Sequence, residues 1–221
     1  MRHFFLHILS VLILLQISGC SRLNGTNGSA NVNGASAGIM EELNPTAYVQ
    51  WCEDPAHGLQ KNKEIEDLTY SLFYKPAEFI VTQEEQTDHV SAQVLKKKMD
   101  ELDGLDYYDF KIQLTNDEGE LLKHKLSSVS EYQDRLNYFS FNMQQDIKMI
   151  EGIDTVSCAL FHFERAYDVA PYAIFLLGFP KSGKDLTSKT FFYQDNVFHK
   201  GIIKFTFTKD ELTSLPKLKT I

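Results

Sequence analysis

His162 and Glu164 stand two residues apart in a stretch of alternating character, which puts both on one face of a strand with Arg165 on the other. A carboxylate close to an imidazole can work as a general base, so this is the pair in the chain with the clearest catalytic chemistry. Such pairs are also common on sheet surfaces, and an internal salt bridge or strand-end hydrogen bonding accounts for Glu164 and Arg165 as well as a site does. His162, Glu164 and Arg165 therefore form a candidate polar site, with no residue assigned a catalytic role. The remaining histidines beyond the amino terminus, His57, His89, His124 and His199, make no H-E-x-x-H or other local metal pair. Neither a metal nor a cofactor is expected.

Gly178-Phe179-Pro180-Lys181-Ser182-Gly183-Lys184-Asp185 comes close to the loop that cradles nucleotide phosphates. Asp185 occupies the position that needs a hydroxyl for Mg²⁺, and its charge would repel phosphate. The loop leads toward another strand-like stretch, so no helix amino terminus awaits the phosphates. A hairpin turn is expected there, and no nucleotide.

The other residue with defined chemistry is Cys20. Met1–Gly19 reads as a secretory leader: Arg2 opens it, Phe4–Leu15 is a nearly unbroken apolar run, and Ile17-Ser18-Gly19 brings small residues up to the cysteine. The run is shorter than the roughly 20 apolar residues a membrane span needs. The ending resembles a lipobox, where bacteria acylate the cysteine and cleave before it. Lipidation of Cys20 would anchor the mature chain to a membrane. Ser21 follows, with no Asp and no acidic cluster, which by resemblance to other bacterial lipoproteins favours the outer membrane, facing the periplasm. Residues 20–40 carry the lipid and then a tether of Asn, Gly, Ser, Ala and Thr that cannot offset its ordering entropy. Residues 41–221 are left as a single globular domain.

The chain carries 22 Lys and Arg against 30 Asp and Glu, and losing the leader removes Arg2 and makes the balance more acidic still. That charge argues against nucleic acid as a partner. Cys52 and Cys158 lack metal-ligand spacing and a C-x-x-C signature. An envelope location permits a disulfide between them, and buried unpaired thiols are the alternative.

The elements that must position these residues alternate between the two periods. Asn44-Pro45 predicts a helix start, with Tyr48, Trp51 and Cys52 on its buried face, Trp51 as anchor, and Asp54-Pro55 and Gly58 as its end. Leu68–Lys75 reads as a strand, which Phe79-Ile80-Val81 resumes after Pro76. A helix covers Ser91–Leu102, a strand Tyr108–Thr115, a turn Asn116–Gly119 and a return strand Leu121–Leu126. Ser128 to Glu131 fits a capping box. Strands are then expected at Tyr138–Phe141, Ile147–Ile150, Val156–Arg165, Tyr172–Phe179, Lys189–Tyr193 and Ile202–Thr208. Ala173–Leu177 is apolar on both sides and predicts a strand buried on both faces. The sum is an α+β domain, a largely antiparallel β-sheet with two or three helices packed on one face.

Tyr48-Val49-Gln50-Trp51, Asp54-Pro55-Ala56-His57-Gly58-Leu59, Tyr74-Lys75-Pro76, Asn137-Tyr138-Phe139-Ser140-Phe141 and Phe163-Glu164-Arg165 together resemble a group of uncharacterised bacterial lipoproteins. The resemblance spans most of residues 41–180 and implies a shared fold and envelope location, with no activity attached. Taken together, the expectation is a membrane-anchored, non-enzymatic protein that binds or scaffolds an envelope protein or glycan. A module holding a small ligand or glycan, and an envelope hydrolase using His162 and Glu164, are the alternatives.

Overall fold

A computed structural model of the chain describes residues 41–116, 118–164 and 170–221. The leader, Cys20, the tether and Arg165 lie outside the described residues. In chain order the domain runs β1 (Glu42–Leu43), α1 (Pro45–Glu53), β2 (Gln60–Ile65), β3 (Leu68–Lys75), α2 (Ala77–Glu85), α3 (Ala92–Glu101) and β4 (Leu105–Leu114). There follow α4 (Val129–Asn137), β5 (Ile147–Glu151), β6 (Asp154–Ser157), β7 (Leu160–Glu164) and β8 (Tyr172–Pro180). β9 (Ser188–Asp195), β10 (Gly201–Thr208), α5 (Lys209–Thr213) and β11 (Lys217–Leu218) complete it. The class is α+β with mostly antiparallel sheets, as the two periodicities require.

Nine of the strands divide between two antiparallel sheets, ordered β2-β3-β4-β8-β7 and β10-β9-β5-β6, and β1 pairs with β11 in parallel. Alternation decides which faces meet. Tyr70 and Leu72 of β3, Phe110 and Ile112 of β4, and Phe175 and Leu177 of β8 point inward from the larger sheet. Met149, Phe191, Tyr193, Ile203 and Phe205 answer from the smaller one. Phe110 sits at the centre, with ring centroids 5.0 Å from Phe191, 5.3 Å from Tyr193 and 6.2 Å from Phe175. A second cluster joins α1 and α2 through Tyr48, Cys52, Phe79 and Val81, takes in Val90, and packs against Val94 and Leu95 of α3 and Phe73 and Tyr74 of β3.

Several predicted strands are something else. Phe79-Ile80-Val81 lies in α2, because Pro76 presets the backbone just ahead of a helix start and Phe79 and Thr82 bury one helical face. Leu121–Leu126 is no return strand: β3 and β8 already occupy both edges of β4. Leu121 and Leu122 are instead buried side by side in a 3₁₀ turn. Tyr138–Phe141 falls in a π-helical turn, Tyr138–Asn142, that prolongs α4. Val156–Arg165 is two strands, since the chain leaves the smaller sheet after Ser157 and joins the larger at Leu160. The segment after Pro180 is not a hairpin turn either, because β8 and β9 belong to different sheets. Ile174 and Leu176 are only half-buried, so the outer face of β8 is partly open.

Capping fits the predicted starts more closely. Asn44 accepts from Ala47 N at 2.8 Å, and Ser91 accepts from Val94 N. Ser128 accepts from Glu131 N, while the Glu131 carboxylate reaches Ser127 rather than Ser128. The expected box is therefore closed one residue early.

Asp195, at the end of β9, clasps the two sheets together. Its buried carboxylate accepts from Tyr70 Oη of β3 at 2.7 Å and from the backbone N–H groups of Val197, Phe198 and Lys200. Tyr108 presents the opposite case, a fully buried hydroxyl with no partner among the described residues. Two substitutions of one kind should thus differ in sign. Tyr70→Phe removes a donor from a buried carboxylate and should lower unfolding free energy by about 1.5–3 kcal/mol. Tyr108→Phe removes an unpaired dipole and should be neutral or stabilising by about 1 kcal/mol. Urea unfolding of the two variants checks this, and equal losses would show that Tyr108 has a partner.

Candidate functional site

Among the described residues β7 is the last strand of the larger sheet, paired on one side to β8 only. Phe161 and Phe163 turn inward and pack on Phe175, with ring centroids 5.8 and 5.1 Å away. His162 and Glu164 turn outward and are exposed. Register places His162 beside Leu176 and Glu164 beside Ile174, with Asp109 and Lys111 one strand further on, across β8. No hydrogen bond joins His162 to Glu164, so the pair that sequence brings together stands open on a sheet face.

Along the edge of β7 runs a groove of about 380 Å³, walled by Leu136 and Asn137 of α4 and by Ser140 and Phe141 of the π-helical turn. The π turn explains that wall. Its wider winding leaves Phe139 buried against Phe163 and Phe175 while Phe141 stands 73% exposed. Single π turns within helices recur at functional sites. Of this groove the sequence marks only His162 as a candidate for chemistry. The alternation of Tyr138–Phe141 suits strand or helix equally, and nothing local says that Phe141 faces solvent.

A second constellation was not legible at all. His124 Nε2 lies 2.6 Å from Asp67 Oδ2, and Lys125 and Lys200 also reach that carboxylate. Arg135 is buried beside it, donating to the carbonyls of Leu121, Leu122 and His124 and to Glu131. Its guanidinium stacks on Phe198 at 4.9 Å. Each charge has a protein partner, and Arg135 holds the 3₁₀ turn through its carbonyls, of which Leu121 O also accepts from His124 N. This is a structural knot tying α4 to the loops around β3 and β10, and no nucleophile stands in it.

The cysteines answer one expectation directly. Cys52 and Cys158 are both free and buried, Cys52 in the helical cluster and Cys158 in the sheet core, so the disulfide does not form. Burial pushes their thiols up to about 12 and about 11, which keeps both protonated at neutral pH. Trp51 is not the anchor of α1 either: Tyr48 and Cys52 are fully buried, while Trp51 is half-buried and stacks on His57 at 3.9 Å. The Asp54–Leu59 motif is a helix stop. Asp54 accepts from Ala56 N at 2.9 Å, Gly58 takes φ +73°, and Leu59 is buried.

Hydrogen bonding to Lys125, and then to His124 and Lys200, holds the Asp67 carboxyl well below the usual carboxylate range, against its own desolvation. A depressed folded-state value means stability present above the unfolded pKa of about 3.9 and lost as pH falls below it. Wild type should therefore be more stable than Asp67→Asn at pH 7, and the gap should narrow progressively as pH falls below about 4. Thermal midpoints across that range check the sign; a gap that widens in acid would contradict it. Compared with protein-family models, with curated proteins and with solved structures, the chain matches none.

Proposed function

We propose that this chain is a lipid-anchored protein of the bacterial envelope that binds, and does not transform, its partner: an extended segment of another envelope protein laid along the edge of β7. The observation that carries this is the pairing of an open strand edge with the groove beside it. An edge strand offers a row of unpaired N–H and C=O groups, and natural proteins usually guard such edges with charge. β2, at the opposite edge of the same sheet, is guarded by Lys61, Lys63 and Glu64. β7 reads Leu-Phe-His-Phe-Glu instead and opens onto Leu136 and Phe141. Strand addition takes affinity from main-chain hydrogen bonds and specificity from side-chain pockets of this kind.

The reading as a hydrolase has only His162 and Glu164 to stand on. The reading as a ligand module needs space between the layers, where Phe110, Phe175, Phe191 and Tyr193 pack ring on ring. Anchoring rests on the lipobox and on the composition of the tether. No described helix is long and apolar enough to cross a membrane.

Two measurements test the proposal. A photo-cross-linking residue at His162, in cells, should give a discrete adduct that the same residue at Lys63 does not. Phe141→Asp should suppress that adduct. Equal labelling at both edges, or none at His162, would contradict binding at β7. Separately, Cys20→Ser should move the chain from the membrane fraction to the soluble one, and retention in the membrane would refute the lipid anchor.

A further inference from the structure

The backbone bonds on either side of β8 decide which groups of β7 are left over. Leu114 N donates to Pro171 O at 2.9 Å, which makes these two a directly bonded pair of the ladder between β4 and β8. Bonded and non-bonded pairs alternate along an antiparallel ladder. Register then turns the backbone groups of Ala173, Phe175 and Leu177 toward β4, and those of Ile174, Leu176 and Gly178 toward β7. Ala159 N donates to Gly178 O at 2.8 Å, which fits that assignment. The counterparts of Ile174, Leu176 and Gly178 on β7 are Glu164, His162 and Leu160. Phe161 and Phe163 remain. Their N–H and C=O groups point off the edge, where no described strand pairs with them.

A strand laid against that edge is read on two faces. Residues directly opposite Phe161 and Phe163 carry their side chains to the same inward side, and the residue between them stands beside His162 on the outer face. The inward pair enters the groove, among the rings of Phe161 and Phe163, Leu136 and Phe141, with Asn137 and Ser140 beside them. The outer face of β7 ends in a charge. Glu164 is exposed, and no described residue pairs with it. The charges across β8 are engaged already, Asp109 with Lys75 at 3.0 Å and Lys111 over the Tyr172 ring at 4.5 Å. Every pairing in this sheet is antiparallel, and a parallel addition would be slightly less stable per residue. In an antiparallel addition, the residue opposite Glu164 comes immediately before the one opposite Phe163. It falls at a non-bonded position, where Cα atoms lie about 4.5 Å apart and side chains are closest.

We propose that the segment bound at β7 is an antiparallel strand reading basic, apolar, any residue, apolar, with its two apolar side chains in the groove and its basic residue against Glu164. The inference rests on binding at the β7 edge and narrows the partner from an extended segment to a residue pattern. Fluorescence anisotropy of the purified mature chain with labelled, end-blocked peptides tests it. The peptide Thr-Lys-Val-Thr-Val-Thr is compared with Thr-Lys-Val-Val-Thr-Thr, of equal composition without the alternation, and with Thr-Glu-Val-Thr-Val-Thr. The first should bind saturably and tightest, ahead of the acidic peptide by about threefold or more. Glu164→Lys should reverse the order of the basic and acidic peptides, and Phe141→Asp should suppress binding of both. Three peptides bound alike, or an order that Glu164→Lys leaves unchanged, would overturn the pattern while binding that Phe141→Asp still suppresses would keep the edge as the site. No saturable binding of the first peptide would overturn the pattern as well. Binding at the edge itself falls separately, on the cross-link at His162 in cells.

Discussion

The rest of the structure depends on the contact between aromatic rings where the two sheets meet. Phe110 is its hub, touching Phe175 on its own sheet and Phe191 and Tyr193 on the facing one. Sheets pack face to face at about 10 Å, a gap that interlocked rings fill. Polar groups are driven to the ends of the sandwich, where they must be paired: Asp195 by Tyr70 and three backbone donors, Lys189 by Asp106 and Glu151. A core of this kind leaves little room for chemistry inside. Binding surfaces must come from the perimeter, and β7 offers a strand edge there.

Much of this fold was legible in the sequence because alternation and capping are local. Leu68–Lys75 and Tyr172–Phe179 show their inward residues at every second position, and Ile203, Phe205 and Phe207 do so against Lys204, Thr206 and Thr208. Asn44, Ser91 and Ser128 each cap the helix they introduce. What failed was decided by distant residues. A short apolar run such as Phe79-Ile80-Val81 carries no period of its own. Leu121–Leu126 would have made a strand had an edge of β4 been free. That two sheets form, and that the chain changes sheet at Cys158, follows from how strands far apart in sequence pair, which no single stretch encodes.

The sites were less legible than the fold, for the same reason. His162 and Glu164 caught attention through their spacing, yet what surrounds His162 comes from α4 and the π turn, some twenty residues upstream. Asp106, Glu151 and Lys189 likewise lie on three strands of two sheets and read singly as ordinary strand residues. Gly178–Asp185 departs from nucleotide loops at Asp185, and the strand that its sequence implies after it is β9. Its lysines nevertheless face one pocket.

The central claim is that β7 keeps an unpaired edge for a partner. Amide hydrogen exchange across residues 160–164 of the free protein addresses it most directly. In an edge strand, alternate amides bond to the neighbouring strand and the others face solvent. The account predicts that pattern: amides turned toward β8 exchange slowly, and those between them exchange fast. Uniformly slow exchange along the whole of β7 would mean that the edge is already covered, and would contradict it.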